Sequence, residues 1–394
     1  MEYAFETITP DQALNIKLGD TLTINGGPAR AVSVTYQSYD PLALTPEVPS
    51  ILVTFAGRTV KFGTGLTQLS DVGGIVMADG SKLFVGDAGS ERESGTDLHD
   101  GLYGGPGDDQ LSGLKGDDLL HGGSGDDVLA GGQGADSLYG GQGDDIIFGA
   151  DDAVSLGSDA GNFAHGNLGD DEVYGASGAD WLYGGQGNDF LAGRDGDDYL
   201  SGDLGDDELQ GGLGDDSLVG GGGNDTVQGG FGADRLSGGA GDDLLVAQGP
   251  AGAWMRGDEG NDTLSSATAG QDTLYGGEGR DRFEFVIKTP PTLGQDDLIM
   301  DWEAHDTLSF AEVSILSPAA ILPTSYSEFV ANDYAEALRI ANEHISGPGA
   351  KYVAAQVGAN VIVFVDGGDP ADGADTAVVL VGRTLADISL TNFV

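Results

Sequence analysis

The feature that most constrains this chain is a nine-residue period. From Gly104 the sequence reads GGPGDDQLS, GLKGDDLLH, GGSGDDVLA, GGQGADSLY, GGQGDDIIF. Nine further units run without a gap from Gly166 to Val246, and three more begin at Gly257, Ala267 and Gly276. Two positions hold in all seventeen units. The sixth is always Asp: Asp109, Asp118, Asp127, Asp136, Asp145, Asp171, Asp180, Asp189, Asp198, Asp207, Asp216, Asp225, Asp234, Asp243, Asp262, Asp272 and Asp281. The eighth is always apolar, from Leu111 and Leu120 through Leu264 and Leu274 to Phe283. A disordered acidic linker has no reason to keep one apolar residue in phase so many times.

The period has a direct physical reading. The apolar residue sits in a short strand with its side chain turned inward, and the six residues before it form a glycine-rich turn. Two units make one turn of a flattened coil, so unit n stacks on unit n+2 with parallel strands about 4.8 Å apart. One unit cannot bury its Leu alone, so only a stack is stable. At roughly 2 kcal/mol per buried aliphatic side chain, this thin core falls short of the backbone entropy lost on folding. A further stabilising term is needed. The Asp carboxylates and loop carbonyls of stacked units offer an all-oxygen cage suited to Ca²⁺, less so to Mg²⁺. Soft metals are disfavoured, because the chain has no Cys and five His. The Asp that often stands at position five, as in Asp108 or Asp206, reads as solvated.

These units resemble the RTX (repeats-in-toxin) glycine-rich nonapeptides almost letter for letter. The resemblance implies a mainly β chain: a calcium-stabilised parallel β-roll solenoid, with the position-six aspartates as ligands of multiple Ca²⁺ ions.

Around the roll the expected organisation is a small N-terminal β-domain over 1–85, the roll with degenerate N-terminal cap repeats over 86–285, and a mixed α+β cap over 286–394. Four strand-like stretches fall in the first segment, ending in SILVTFAGRTVKF and GIVMADGSKLFV. The break at 149–165 puts Leu156 at position eight, and that at 247–256 puts Trp254 there with Gly252 in place of Asp. Counting three degenerate units in these breaks gives twenty units. In the tail, DLIMDW and DTLSF read as strands closing the roll. Ser325 to Ile345 reads as a helix capped by Ser325 and Glu328, followed by the strands KYVAAQV, VIVFVD and TAVVLV. Asp366, Asp369, Asp372 and Asp375 recur every third residue, which fits either a solvated hairpin turn or a further calcium site. The tail resembles the C-terminal region of RTX proteins exported by type I secretion, which implies an ABC transporter as a partner during export. This suits an N-terminus with no basic and apolar leader pattern.

The balance of 16 Lys+Arg against 65 Asp+Glu, a net charge of −49, argues against a nucleic-acid partner and for bound cations. No H-E-x-x-H or G-x-S-x-G motif is present, and no apolar run approaches the length of a membrane helix. The expectation is a secreted, extracellular or cell-surface protein without catalytic residues. It would fold on calcium after export and act as a surface, matrix or adhesive component, contacting itself or a cell-surface polymer. The alternatives are a bacteriocin- or toxin-like factor with 1–85 as effector, and an enzyme of unrecognised type.

Overall fold

The computed structural model describes residues 1–18, 20–37, 50–70, 75–150, 160–286, 296–311, 325–345, 351–366, 374 and 376–393. Two compact units make up the chain, Met1–Gly196 and Asp197–Val394.

In the first unit each repeat contributes one short parallel strand, and successive repeats alternate between two sheets. Gln110–Lys115 pairs with Val128–Gln133 and with Arg92–Ser94 in one sheet; Leu119–Ser124 pairs with Ser137–Gln142 and with Gly101–Pro106 in the other. The register is set by the inward apolar residue: Leu111 stands beside Leu129, and Leu120 beside Leu138. Every position-eight side chain is buried between the sheets. The chain is therefore a mainly β parallel roll, as its period requires. Outward residues at positions seven and nine stack into ladders along the faces: His121 lies between Tyr103 and Tyr139, with ring centroids 6.3 and 5.9 Å away.

The coil starts before the first recognised unit. Residues 95–103 form a full repeat, with Asp100 and Leu102 buried at positions six and eight, and Leu102 beside Leu120. Upstream, Leu83–Val85 already pairs in parallel with Gly101–Pro106. The elements before it comprise a parallel trio (Glu2–Ala4, Thr21–Ile24, Ile75–Met77), an antiparallel meander (Ser33–Gln37, Ser50–Phe55, Arg58–Gly63) and two short helices, Pro10–Leu14 and Gly65–Ser70. They share a core of Phe5, Leu22, Ile24, Phe62, Leu66 and Leu69 that extends to Tyr103.

Both breaks differ from their expected register. At 149–165 the coil gains one rung, not two: Asn162 accepts the amide of Asp136 (2.9 Å) as a position-six residue would, and Ala164 fills position eight beside Leu138. Residues 151–159, including Leu156, lie outside the described residues. In the second unit, the break at 247–256 places Met255 inward between Leu236 and Leu274, with Trp254 turned out against Tyr275. Its extra residue lies ahead of the loop, which moves position six to Ala253.

The second unit continues the same alternation, for example Glu208–Leu213 with Thr226–Phe231 and Ser217–Gly222 with Arg235–Ala240. Asp297–Ile299 and Thr307–Ala311 then add rungs on Thr273–Glu278 and Arg282–Val286, as expected of closing strands. Thr376–Leu380 pairs with Asp297–Ile299 and leads into the antiparallel strands Asn360–Asp366 and Lys351–Val357. Ser325–Ala331 is a strand and not the first part of a helix, because it pairs in parallel with Lys351–Val357. The helix is Tyr334–Ile345, and Asp333 caps it by accepting the Glu336 amide at 2.9 Å. Its Ala337, Ala341 and Ile345 pack on Phe364. Trp302 is buried against Phe283, and its indole N–H donates to the Asp387 carbonyl at 3.0 Å. Among the described residues no helix is long and apolar enough to cross a membrane.

Candidate metal centres along the coil

Each repeat turns from one sheet to the other through its first six residues, which brings the position-six Asp back over the loop that precedes it. All seventeen of these aspartates are buried, none more than 3% exposed. Their Oδ1 atoms form a ladder: the amide of Asp109 donates to Asp127 at 2.7 Å, that of Asp127 to Asp145 at 2.8 Å, and that of Asp145 to Asp171 at 2.8 Å. In the second unit the same bond joins Asp198 to Asp216, Asp207 to Asp225, Asp225 to Asp243 and Asp243 to Asp262. The ladder runs past the recognised repeats at both ends. Asp100 donates to Asp118, while Asp297 and Asp306 accept from Asp272 and Asp281.

The second oxygen behaves differently. In Asp118, Asp127, Asp145, Asp171, Asp216, Asp225, Asp234, Asp243 and Asp262, Oδ2 is buried, and among the described residues nothing donates to it. A buried carboxylate oxygen without a donor or cation costs several kcal/mol on the scale of desolvated charges, about 3–5 where a partner has been removed. At seven of these nine, all but Asp127 and Asp234, the loop gives that oxygen company of a particular kind. A Cβ placed on Gly211 would stand 2.4 Å from Asp216 Oδ2 and 2.4 Å from the carbonyl oxygen of Gly229, one turn on. Carboxylate and carbonyl thus converge on one point, kept clear by a glycine. This is the donor set of a hard, oxygen-preferring cation. Among the described residues no three His, Cys, Asp or Glu side chains come together as a metal-holding group.

Burial governs the ionisation of these groups and neighbouring aspartates add to it. Asp145 and Asp216 are pushed up to about 8. Asp118, Asp127, Asp171, Asp243 and Asp281 reach about 7, and Asp225 and Asp262 about 6. A divalent cation beside them would oppose these shifts by stabilising the charged carboxylate.

Asp180 and Asp272 share the ladder but differ at Oδ2. The amide of Ala176 donates to Asp180 Oδ2 at 2.7 Å. The hydroxyls of Ser266 and Thr268 donate to Asp272 Oδ2. Asp100 is closed in the same way by Thr96. The position-five acids, read as solvated, are exposed and also ordered: Asp108 accepts the amide of Asp126 at 3.1 Å, and Asp206 that of Asn224 at 2.7 Å. This outer ladder was not foreseen, although the recurrence of Asp or Asn at position five carries it. Asp369, Asp372 and Asp375, with the side chain of Asp366, lie outside the described residues.

A parallel coil with one buried carboxylate and a carbonyl-lined loop per rung defines a repeat protein organised around oxygen-seeking cations. These units are RTX nonapeptide repeats: the model of the RTX calcium-binding nonapeptide repeat (four copies) matches at 94–129, 103–136, 121–154, 156–191, 174–209, 183–218, 192–227, 210–245 and 256–284. Repeats of this family bind calcium, and proteins built on them are usually secreted. Two solved structures are similar in part. One is the AlgE6R3 subunit of the mannuronan C5-epimerase from Azotobacter vinelandii, at 28% identity over 49% of this chain and 78% of that one, with a TM-score of 0.22. The other is the extracellular lipase LipA from Serratia marcescens, at 19% identity over 64% of this chain and 44% of the lipase, with a TM-score of 0.18. No curated protein matches.

Proposed function

We propose that this chain is a calcium-dependent, non-catalytic extracellular component that folds after type I export and serves at a surface, in a matrix or as an adhesive. The observation that carries the reading is the set of buried Asp Oδ2 atoms that no group among the described residues satisfies, most of them close to a loop carbonyl. Calcium supplies charge neutralisation at these points. The position-six Asp holds the ion by its second oxygen, while its first oxygen stays fixed by the amide of the rung one turn earlier. Without the ion, the net charge of −49 opposes compaction, which suits a chain that must stay threadable for an ABC transporter. With it, folding is driven by mass action. Contact with itself or with a surface polymer falls to the outer faces, whose aromatic ladders stand on the strands while the exposed acids line the loops.

Far-UV circular dichroism through a calcium titration, with magnesium as control and light scattering read alongside, tests this. A sharp, calcium-specific gain of β signal, reversed by a chelator, is expected. A chain fully folded in chelator and indifferent to calcium would overturn the reading.

A further inference from the structure

Fifteen of the seventeen repeats place their second residue in the left-handed region, with φ between 71° and 128°. Glycine adopts this at no cost. Leu114, Asn167, Arg194, Asp203 and Asp258 adopt it despite their side chains, so the loop demands it. The two exceptions are Ala176 and Thr268, and they open the two repeats whose aspartates, Asp180 and Asp272, receive a protein donor at Oδ2. Thr96, at the same position ahead of Asp100, repeats the association.

The backbone explains the link. With a left-handed second residue the strand runs on into the loop, as in Leu119–Ser124 and Ser217–Gly222, and the amides of the loop remain in the sheet. At Thr96 and Ala176, which are not left-handed, the strand stops early, at Arg92–Ser94 and Glu172–Tyr174, whereas Thr263–Thr268 keeps its full length. The freed amide then turns onto the carboxylate of its own repeat. At Thr268 two hydroxyls take the same place.

We propose that the residue at position two decides whether a rung takes calcium, and that the rungs of Asp180 and Asp272 are closed by protein donors and fold without it. This rests on the calcium reading above. A hydrogen-bond donor and a cation cannot share one carboxylate lone-pair direction, so a satisfied Oδ2 neither needs nor offers room to the ion. Within its own unit, each closed rung gives the calcium-requiring rungs beside it a neighbour that is ordered beforehand.

The test is calcium bound per full-length chain at saturation, by equilibrium dialysis. Asp216→Asn is expected to lose about one ion, and Asp180→Asn and Asp272→Asn none, whatever they cost in stability. Loss of an ion from Asp180→Asn equal to that from Asp216→Asn would overturn the proposal. Should Asp180→Asn show no β signal in calcium, Ala176→Gly decides. A gain of about one ion supports the proposal, and an unchanged count refutes it. A wild-type chain that binds no calcium would instead sink the underlying reading.

Discussion

Asp127 does three things with one short side chain. Its Oδ1 takes the amide of Asp109, its own amide reaches Asp145, and its Oδ2 is held from water over Gly122 of its own loop. Burial raises it to about 7, and its counterparts reach between about 6 and 8. These folded-state values lie above the ordinary carboxylate range, so the metal-free coil takes up protons as it forms. The cost of burial is absent below about pH 4, where both states are protonated, and is fully felt above about pH 8. In chelator, therefore, the β signal should be larger near pH 5 than near pH 8, and calcium should abolish that difference; far-UV dichroism at the two pH values checks it. The sixth position was legible in the sequence because a single residue type does the work. The second was not, since Gly, Leu, Arg and Asp look unrelated until their shared backbone angle is seen.

At the scale of the element, the strand is short and its pairing depends on one inward side chain. Leu218 is buried between rungs that place Leu200 and Leu236 beside it. Truncating it to Ala should cost about 2–5 kcal/mol in saturating calcium, seen as a lower urea midpoint. A loss under about 1 kcal/mol would mean that the loops, and not the core, hold the stack. Alternation and spacing made the strands of the roll readable, and also the closing strands Asp297–Ile299 and Thr307–Ala311. They failed where spacing was the only guide. Counting forward from Ala247 gave Trp254 the inward place, but the extra residue is absorbed before the loop and Met255 takes it. Ser325 with Glu328 has the letters of a capping box, yet the partner strand Lys351–Val357 claims that segment. The cap forms eight residues later at Asp333. Local signals of this kind lose to sheet pairing, which the sequence does not display.

For the whole molecule, stability is inseparable from the concentration of what it binds. Ligands that bind only the folded state stabilise it by RT ln(1 + [L]/Kd) per site, and many sites multiply the slope. The melting temperature should therefore climb steeply with the logarithm of free calcium above about 0.1–1 mM, the Kd range of extracellular modules, and hardly at all with magnesium. Scanning calorimetry at stepped calcium checks this; equal slopes for the two ions would remove the preference for the larger one. The net charge of −49 announced this dependence in the sequence, and the repeat located it. The role of the N-terminal elements is a different matter. Their strands could be guessed, but the core they share with Tyr103 depends on contacts across distant segments.

The three tryptophans give this chain a private set of lamps. Trp181 is 55% exposed on a sheet face of the first unit, Trp254 leans on Tyr275 in the second, and Trp302 is sealed against Phe283 behind the last rungs. Each will glow at its own colour once its surroundings set, the buried one bluest. Chains keeping one tryptophan at a time would therefore tell, by the order in which their emission shifts after calcium is mixed in, which of these three places sets first.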